Sequence, residues 1–259
     1  MSLLETNRLF TTHKAPLRYL VIPKCGCTFI KNLLWRIEHG NDHDQPIRVH
    51  DDDNRFLRAD ALSLNAADIR GEAHAFTVLR NPVDRFFSLY TDKVIGEGRK
   101  RYVPLRDVLS HKYGLDPHTQ TVEGHRANCE IMIDWLENNL RTEVDLPKEA
   151  HWTPQSYRSR LMEKFDLKLL TLNGIEGQLI GLSRDILPEI ATTLSGLEPN
   201  RSKKPVAKGQ VLVPELRKRI NAVYAADRKL FSKTRDAWAN LTPETVDPAA
   251  IPRASQVLG

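Results

Sequence analysis

A regular pattern of apolar and polar positions begins near residue 19. Tyr19 to Ile22 form a short apolar, partly β-branched run that is typical of a buried strand. Pro23 and Gly26 interrupt this run. From Thr28 onward the apolar residues recur at helical spacing, at Phe29, Leu33, Leu34 and Ile37. The pattern predicts a strand, a tight loop and a helix that ends near residues 38–40.

A second strand and helix follow about fifty residues later. Ala75 to Leu79 are apolar enough for a buried strand and lead directly into Arg80. Pro82 suits the first turn of a helix, where a missing N–H costs nothing. Strands that alternate with helices in this way predict an α/β layer fold with parallel strands.

The rest of the chain continues the mixed pattern. We expect a lead-in segment over residues 1–17, a helix within 61–72 and a loop over 96–125. Further elements are predicted at Ala127–Leu140 (helix), Leu167–Leu172 (strand), Gln178–Leu194 (one or two helices) and Pro214–Trp238 (helical). Residues 1–240 are predicted to form a single domain. Residues 241–259, rich in Pro and Ala, are predicted to be a flexible tail.

Composition excludes several classes of protein. No apolar run approaches the length that a bilayer requires, and the polar N-terminus does not resemble a secretory signal. Three cysteines are too few for a disulfide framework, and Cys25-x-Cys27 lacks the further ligands of a zinc site. The net charge of +5 favours acidic ligands. Basic residues do not alternate with aromatic ones as on a nucleic-acid surface, so no nucleic-acid partner is expected.

The loop between the first strand and helix predicts an anion site. Backbone N–H groups at a helix N-terminus attract anions, and Lys24 adds a positive charge and Thr28 a hydroxyl at the expected N-cap. The loop is not a Walker A sequence. Arg80 follows the second strand, and Ser88 lies about two helical turns later. Since ligands of open α/β sheets bind outside the carboxyl ends of the strands, two phosphate contacts are predicted there. The alternatives are an ordinary strand-to-helix turn and an Arg80–Asp84 surface pair.

An acidic stretch over residues 41–60 raises the question of a metal. It includes Asp51, Asp52 and Asp53, but the spacing of a calcium loop is missing. We interpret the stretch as a solvated loop and expect no metal.

Four motifs resemble those of sulfotransferases that use 3′-phosphoadenosine 5′-phosphosulfate (PAPS). Residues 22–28 (Ile-Pro-Lys-Cys-Gly-Cys-Thr) resemble the 5′-phosphosulfate loop, and residues 76–90 resemble the 3′-phosphate motif, with Arg80, Arg85, Ser88 and Tyr90 in register. Residues 151–155 (His-Trp-Thr-Pro-Gln) and 223–231 are similar to later motifs of the Golgi-type carbohydrate enzymes, in the chondroitin and dermatan 4-O branch. The likeness runs from Tyr19 to Phe231 in the family's order.

This resemblance implies a P-loop-NTPase-like fold, with a central parallel sheet flanked by helices, and a site for PAPS and its product PAP. Lys24 would contact the leaving-group oxygen, whereas Arg80 and Ser88 would hold the 3′-phosphate. The residues implied in nucleotide binding are Pro23, Lys24, Cys25, Gly26, Cys27, Thr28, Arg80, Ser88, Ser202 and Lys203. The implied reaction is transfer of a sulfuryl group to an acceptor hydroxyl, with a carbohydrate or glycolipid as the expected acceptor.

A histidine is the expected general base in this branch. His50 is preferred because it follows a short Ile47-Arg48-Val49 run between the two nucleotide motifs, where the family tends to carry Val-His or Ile-His. A solvated loop histidine is the alternative interpretation. His151 ranks second and His74 third; His151 and Trp152 are also predicted to contact the acceptor.

The sequence departs from its eukaryotic relatives, since it has neither a membrane anchor nor their paired luminal cysteines. We therefore expect a cytoplasmic, bacterial-type enzyme. Two other functions compete with this one. A kinase-like phosphotransferase would need a Walker A lysine. A non-catalytic binder of acidic glycans would use the basic segments at 99–101 and 201–204, but leaves both nucleotide motifs unexplained.

Overall fold

The structure is a computed structural model that describes residues 9–50, 66–70, 72, 74–95, 102–197 and 205–259. Four strands form one sheet in the order β1-β2-β3-β4. They are β1 (Leu9–Thr11), β2 (Arg18–Leu20), β3 (Ala75–Leu79) and β4 (Lys168–Thr171). The strand β1 pairs antiparallel with β2, whereas β2, β3 and β4 are mutually parallel. The predicted α/β class is confirmed, except that the edge strand β1 is antiparallel.

The described helices lie between β2 and β3, between β3 and β4, and after β4 along the chain. They are α1 (Cys27–His39), α2 (Ala66–Ile69), α3 (Pro82–Leu89), α4 (Val103–Asp107), α5 (Val122–Thr142), α6 (Ser159–Phe165), α7 (Ile175–Ser183), α8 (Ile190–Leu194), α9 (Lys208–Val211), α10 (Pro214–Val223), α11 (Ala225–Trp238) and α12 (Ala254–Leu258). A π-helical turn continues α3 over Tyr90–Val94, and another continues α4 over Val108–Lys112. None of these helices is both long and apolar enough to cross a bilayer.

Alternating residues of each strand lie in two separate apolar clusters, as the two-residue period of a strand requires. Phe10, Tyr19, Phe76 and Leu170 pack with residues of α1, α7 and α8. Their neighbours Leu9, Leu20, Ala75 and Leu169 pack with residues of α6, α11 and α12. The sheet is therefore buried on both faces, which explains why β3 is apolar at every position except Thr77.

The chain divides into two compact units. The sheet belongs to the first unit, which comprises Met1–Arg80, Gln155–Arg201 and Lys229–Gly259. The second unit comprises Asn81–Pro154 and Ser202–Arg228. It is helical, and its core gathers aromatic and aliphatic residues of α3, α5 and α10, with Trp135 at its centre and fully buried. The predicted single domain over residues 1–240 stays a prediction.

Three segments differ from expectation. The lead-in segment contains β1, and the predicted loop at 96–125 contains α4. The predicted flexible tail, residues 241–259, is instead packed in the first unit. Its Val246, Ile251 and Val257 are buried, and the Leu169 N–H donates to the Pro252 carbonyl at 2.8 Å. These apolar residues are too widely spaced to reveal a helical or strand period.

Lys168 is an unusual member of the buried sheet. Its side chain is 0% exposed, and its Nζ finds no hydrogen-bond partner within the described residues. Burial, and secondarily the positive charge of Arg253, lowers the pKa of Lys168 to about 8. The folded chain therefore binds this proton less readily than the unfolded chain.

Replacement of Lys168 should consequently stabilise the protein at neutral pH. The cost of the charged lysine is fully present below about pH 8 and fades as the pH rises toward the unfolded value. We expect Lys168→Met to raise the free energy of unfolding by roughly 2 kcal/mol at pH 7, with a smaller gain at pH 10. Urea denaturation at both pH values measures this, with the exposed Lys229→Met as control. A gain in stability that does not change with pH would contradict the lowered pKa of Lys168.

Candidate active site

The loop between β2 and α1 turns through two left-handed residues. Lys24 has φ 68° and Gly26 has φ 82°, and the Cys25 N–H donates to the Ile22 carbonyl at 3.3 Å. Left-handed backbone costs a residue that carries Cβ on the order of 1 kcal/mol or more, so the conformation of Lys24 requires support from its neighbours. Gly26, and not the expected Thr28, is the N-cap of α1. The prediction of Thr28 as the N-cap is wrong, because the left-handed turn starts the helix two residues earlier.

Glycine is required at position 26 for a second reason. A Cβ placed there would lie 2.6 Å from Cδ1 of Leu172, the residue that follows β4. Because glycine has no side chain to cap the helix and the first turn of α1 contains no acidic residue, the helix N-terminus retains its affinity for an anion. Burial raises the pKa of the Tyr19 phenol well above its usual value, and the thiols of Cys27 and Cys25 add to the effect. Tyr19 therefore adds no negative charge near the loop.

His50 lies against this helix N-terminus. Its Nε2 is 2.9 Å from Oγ1 of Thr28 and 3.8 Å from Sγ of Cys27. The short 3₁₀ turn Pro46–Arg48 leads to His50, and Asn32 of α1 connects the two elements. The Asn32 Nδ2 donates to the carbonyls of Thr28 at 2.9 Å and Pro46 at 3.0 Å. One imidazole therefore lies in hydrogen-bond contact with the predicted anion loop.

Arg80 also contacts the loop. Its Nη1 donates to the carbonyl of Lys24 at 2.9 Å, so the end of β3 is hydrogen-bonded to the left-handed residue of the loop. Asp84, the alternative partner for Arg80, forms an ion pair with Lys208 within the second unit. The sequence analysis anticipated Arg80 as a phosphate ligand but did not anticipate its contact with Lys24.

Gln155 is a site residue that the sequence analysis missed. Its side chain is 1% exposed, and Oε1 accepts from the Arg80 N–H at 2.9 Å and from the Cys25 thiol at 3.1 Å. Its Nε2 donates to the Arg80 carbonyl at 2.9 Å. The motif at residues 151–155 contained this glutamine, but its partners lie too far away in sequence to be inferred.

The other predicted site residues have the following surroundings. Ser88 lies on α3, in the second unit. His151 belongs to the same unit; its Nδ1 is 2.8 Å from Oε1 of Glu149, and its ring also contacts the Tyr102 hydroxyl. Trp152, likewise in the second unit, packs edge to face on Trp135, with 5.6 Å between the ring centroids. Because Trp152 is 5% exposed, its position favours a packing role. His74 lies near the start of β3, 2.9 Å from Asp185. Ser202, Lys203 and Asp51 to Asp53 lie outside the described residues.

Arg85, the second arginine of the stretch that resembles the 3′-phosphate motif, is hydrogen-bonded to backbone carbonyls. Arg85 is buried and donates to the carbonyls of Thr153 at 3.0 Å and Ala150 at 2.9 Å, all within the second unit. Within the described part of the chain, no group of three or more His, Cys, Asp or Glu side chains is placed to hold a metal ion.

A mostly parallel sheet, with helices on both faces and a tight strand-to-helix loop after β2, defines an α/β protein with a P-loop-like fold. The chain belongs to the sulfotransferase family, whose family model matches residues 7–234. Sulfotransferases are transferases that move a sulfuryl group from a nucleotide sulfate donor to a hydroxyl acceptor. No curated protein and no solved structure matches the chain.

The close approach of Leu172 makes a prediction about Gly26. Gly26→Ala should destabilise the protein more than Gly40→Ala, a matched change at another left-handed glycine (φ 77°) whose added Cβ meets nothing within 4 Å. We expect a loss of about 1 kcal/mol for Gly40→Ala from backbone strain, and a larger loss for Gly26→Ala because the end of the Leu172 side chain must also move. Urea denaturation compares the two variants. Equal losses would show that the Leu172 contact has no energetic weight.

Proposed function

We propose that the chain transfers the sulfuryl group of PAPS to a hydroxyl of a carbohydrate or glycolipid, with His50 as the general base. One observation carries this proposal: His50 lies 2.9 Å from Thr28 at the N-terminus of α1, beside the loop that contains Lys24. A base and an anion site side by side are what transfer to a hydroxyl requires. Likeness to the 4-O branch in residues 151–155 and 223–231 supports the carbohydrate acceptor.

Different residues of the first unit would bind different parts of the donor. The backbone N–H groups of residues 26–28 and the Thr28 hydroxyl would bind the 5′-phosphate, as at other helix N-termini. The ammonium of Lys24 would neutralise negative charge that develops on the leaving phosphate oxygen. Arg80 would bind the 3′-phosphate, because a planar guanidinium suits bidentate contact with phosphate oxygens. Ser88, Ser202 and Lys203 stay predictions as further phosphate contacts.

The donor supplies an activated sulfuryl group: a sulfur–oxygen bond to the acceptor forms as the bond to the 5′-phosphate breaks. His50 would take the acceptor proton through Nε2, the nitrogen that faces Thr28. In the structure Nε2 can accept from the Thr28 hydroxyl. If that hydroxyl turned to donate to a bound phosphate, which is the stronger acceptor, Nε2 would be available to the acceptor hydroxyl. Donor binding would thereby prepare the base.

Lys24→Ala and Arg80→Ala separate chemistry from binding. Lys24→Ala should lower kcat on the order of 100-fold, the usual effect of removing one group that stabilises developing charge. Arg80→Ala should weaken PAP binding by roughly 10- to 100-fold, through loss of charge-assisted hydrogen bonds. Calorimetric titration with PAP and a radiolabelled-sulfate transfer assay measure the two effects. Lys14→Ala, which removes an exposed charge from the same unit, is the control.

Unchanged PAP affinity in Arg80→Ala would overturn the assignment of the 3′-phosphate site. Binding of ATP with magnesium in preference to PAP would support the kinase-like alternative. Salt-sensitive glycan binding with no nucleotide-induced thermal shift would support the non-catalytic one.

His50→Ala tests the base. We expect kcat to fall by about 10²- to 10⁴-fold, the range typical of general bases, while PAP affinity stays close to that of the unsubstituted protein. His13→Ala is the matched control, because His13 is an exposed histidine of the same unit that pairs with Glu38. Full activity of His50→Ala would move the role to His151 or His74.

A further inference from the structure

Gln155 connects three segments of the first unit through one buried carboxamide. Its Oε1 accepts from the Arg80 N–H and the Cys25 thiol, and its Nε2 donates to the Arg80 carbonyl. We infer that Gln155 is a positioning residue of the donor site, which holds Arg80 and, through Arg80, the left-handed residue Lys24. This inference rests on the proposed function and extends it to a residue that contacts neither phosphate.

The contacts place Arg80 between the glutamine and the loop. Gln155 bonds both the N–H and the carbonyl of Arg80, so it fixes the backbone on either side of the Cα from which the guanidinium extends. The guanidinium in turn donates to the Lys24 carbonyl at 2.9 Å. Since Lys24 has φ 68°, a conformation that neighbours must support, the bond from Arg80 helps to keep the lysine in the loop geometry.

The thiol contact provides a second, direct connection. Cys25 is 0% exposed, lies between the two left-handed residues of the loop, and donates its S–H to the same Oε1. Loss of the carboxamide would therefore release the loop at Cys25 and at Lys24 together. Lys24 and Arg80 belong to different motifs of the sequence, yet both depend on one side chain.

A purely structural role is the competing explanation, because removal of any buried hydrogen-bonded amide costs stability. Asn139 offers a matched control within the second unit. It is also buried, its Oδ1 accepts from the N–H groups of Asp145 and Leu146, and its Nδ2 donates to the Leu146 carbonyl. Both amides thus accept at least two bonds and donate at least one.

The test compares Gln155→Met with Asn139→Leu in the full chain. Affinities for PAP and for adenosine 5′-phosphate are measured by calorimetry, and the melting temperature is recorded for each variant. We expect both variants to lose stability, but only Gln155→Met to lose at least about 10-fold of the preference for PAP, because that preference depends on Arg80. An unchanged preference in Gln155→Met, or an equal loss in Asn139→Leu, would overturn the inference.

A double-mutant cycle tests whether Gln155 acts through Arg80. If it does, Arg80→Lys and Gln155→Met together should reduce the preference for PAP little more than Arg80→Lys alone; fully additive losses would contradict that route. Should Gln155→Met fail to fold, Gln155→Glu keeps the size of the side chain and an acceptor for the Arg80 N–H but lacks the donor to its carbonyl. The same loss of preference is expected for it.

Hydrogen exchange in the nucleotide-free chain separates this inference from the proposed function. Gln155→Met should speed exchange in peptides covering residues 22–28 and 79–82, whereas Asn139→Leu should not. If the unsubstituted protein fails to bind PAP but these peptides respond, the proposed donor is wrong and the positioning role stands. If PAP binds normally and the peptides do not respond, the positioning role is wrong.

Discussion

The left-handed turn at Lys24 and Gly26 is the constraint on which the candidate site depends. It directs the chain from the end of β2 into α1 within a few residues, so that the backbone N–H groups of the helix start are available to a ligand. Glycine accepts this conformation without cost, but lysine does not. The surrounding hydrogen bonds must therefore offset the strain at Lys24, and they include the bond from Arg80 to Lys24 and the bond between Cys25 and Gln155.

The parallel arrangement of β2 and β3 explains why these residues can meet. Arg18 pairs with Ala75 and Leu20 with Thr77, so the two strands run in register and their carboxyl ends lie at the same edge. The β2 end leads to the loop and the β3 end leads to Arg80. Buried apolar residues on both faces hold this register, because a slip of one residue would exchange the two sides of each strand. The register that brings the loop and Arg80 to the same edge of the sheet thus depends on the packing of Tyr19, Phe76 and Leu170 in the apolar cluster.

Much of this arrangement could be predicted from the sequence. The bounds of β3 and the strand–loop–helix order of the first motif follow from local apolar periodicity, which acts over a few residues. His50 was chosen through a family resemblance, and the structure places it beside Thr28. The N-cap of α1 was predicted at the wrong residue, because the pattern of apolar residues carries no information about backbone dihedral angles. Gln155 could not be found, since it bonds residues 75 and 130 positions away and such contacts leave no periodic trace.

The electrostatic environment of the loop supports an anionic ligand for reasons independent of the family. The side chains of Arg80, Gln155 and Thr28, which contact the loop or belong to it, are cationic or neutral polar groups. Lys24 and Arg80 contribute the positive charges, and the start of α1 adds its dipole. Tyr19 is a neutral phenol at neutral pH, and burial raises its pKa further. A loop of this composition favours an anionic ligand.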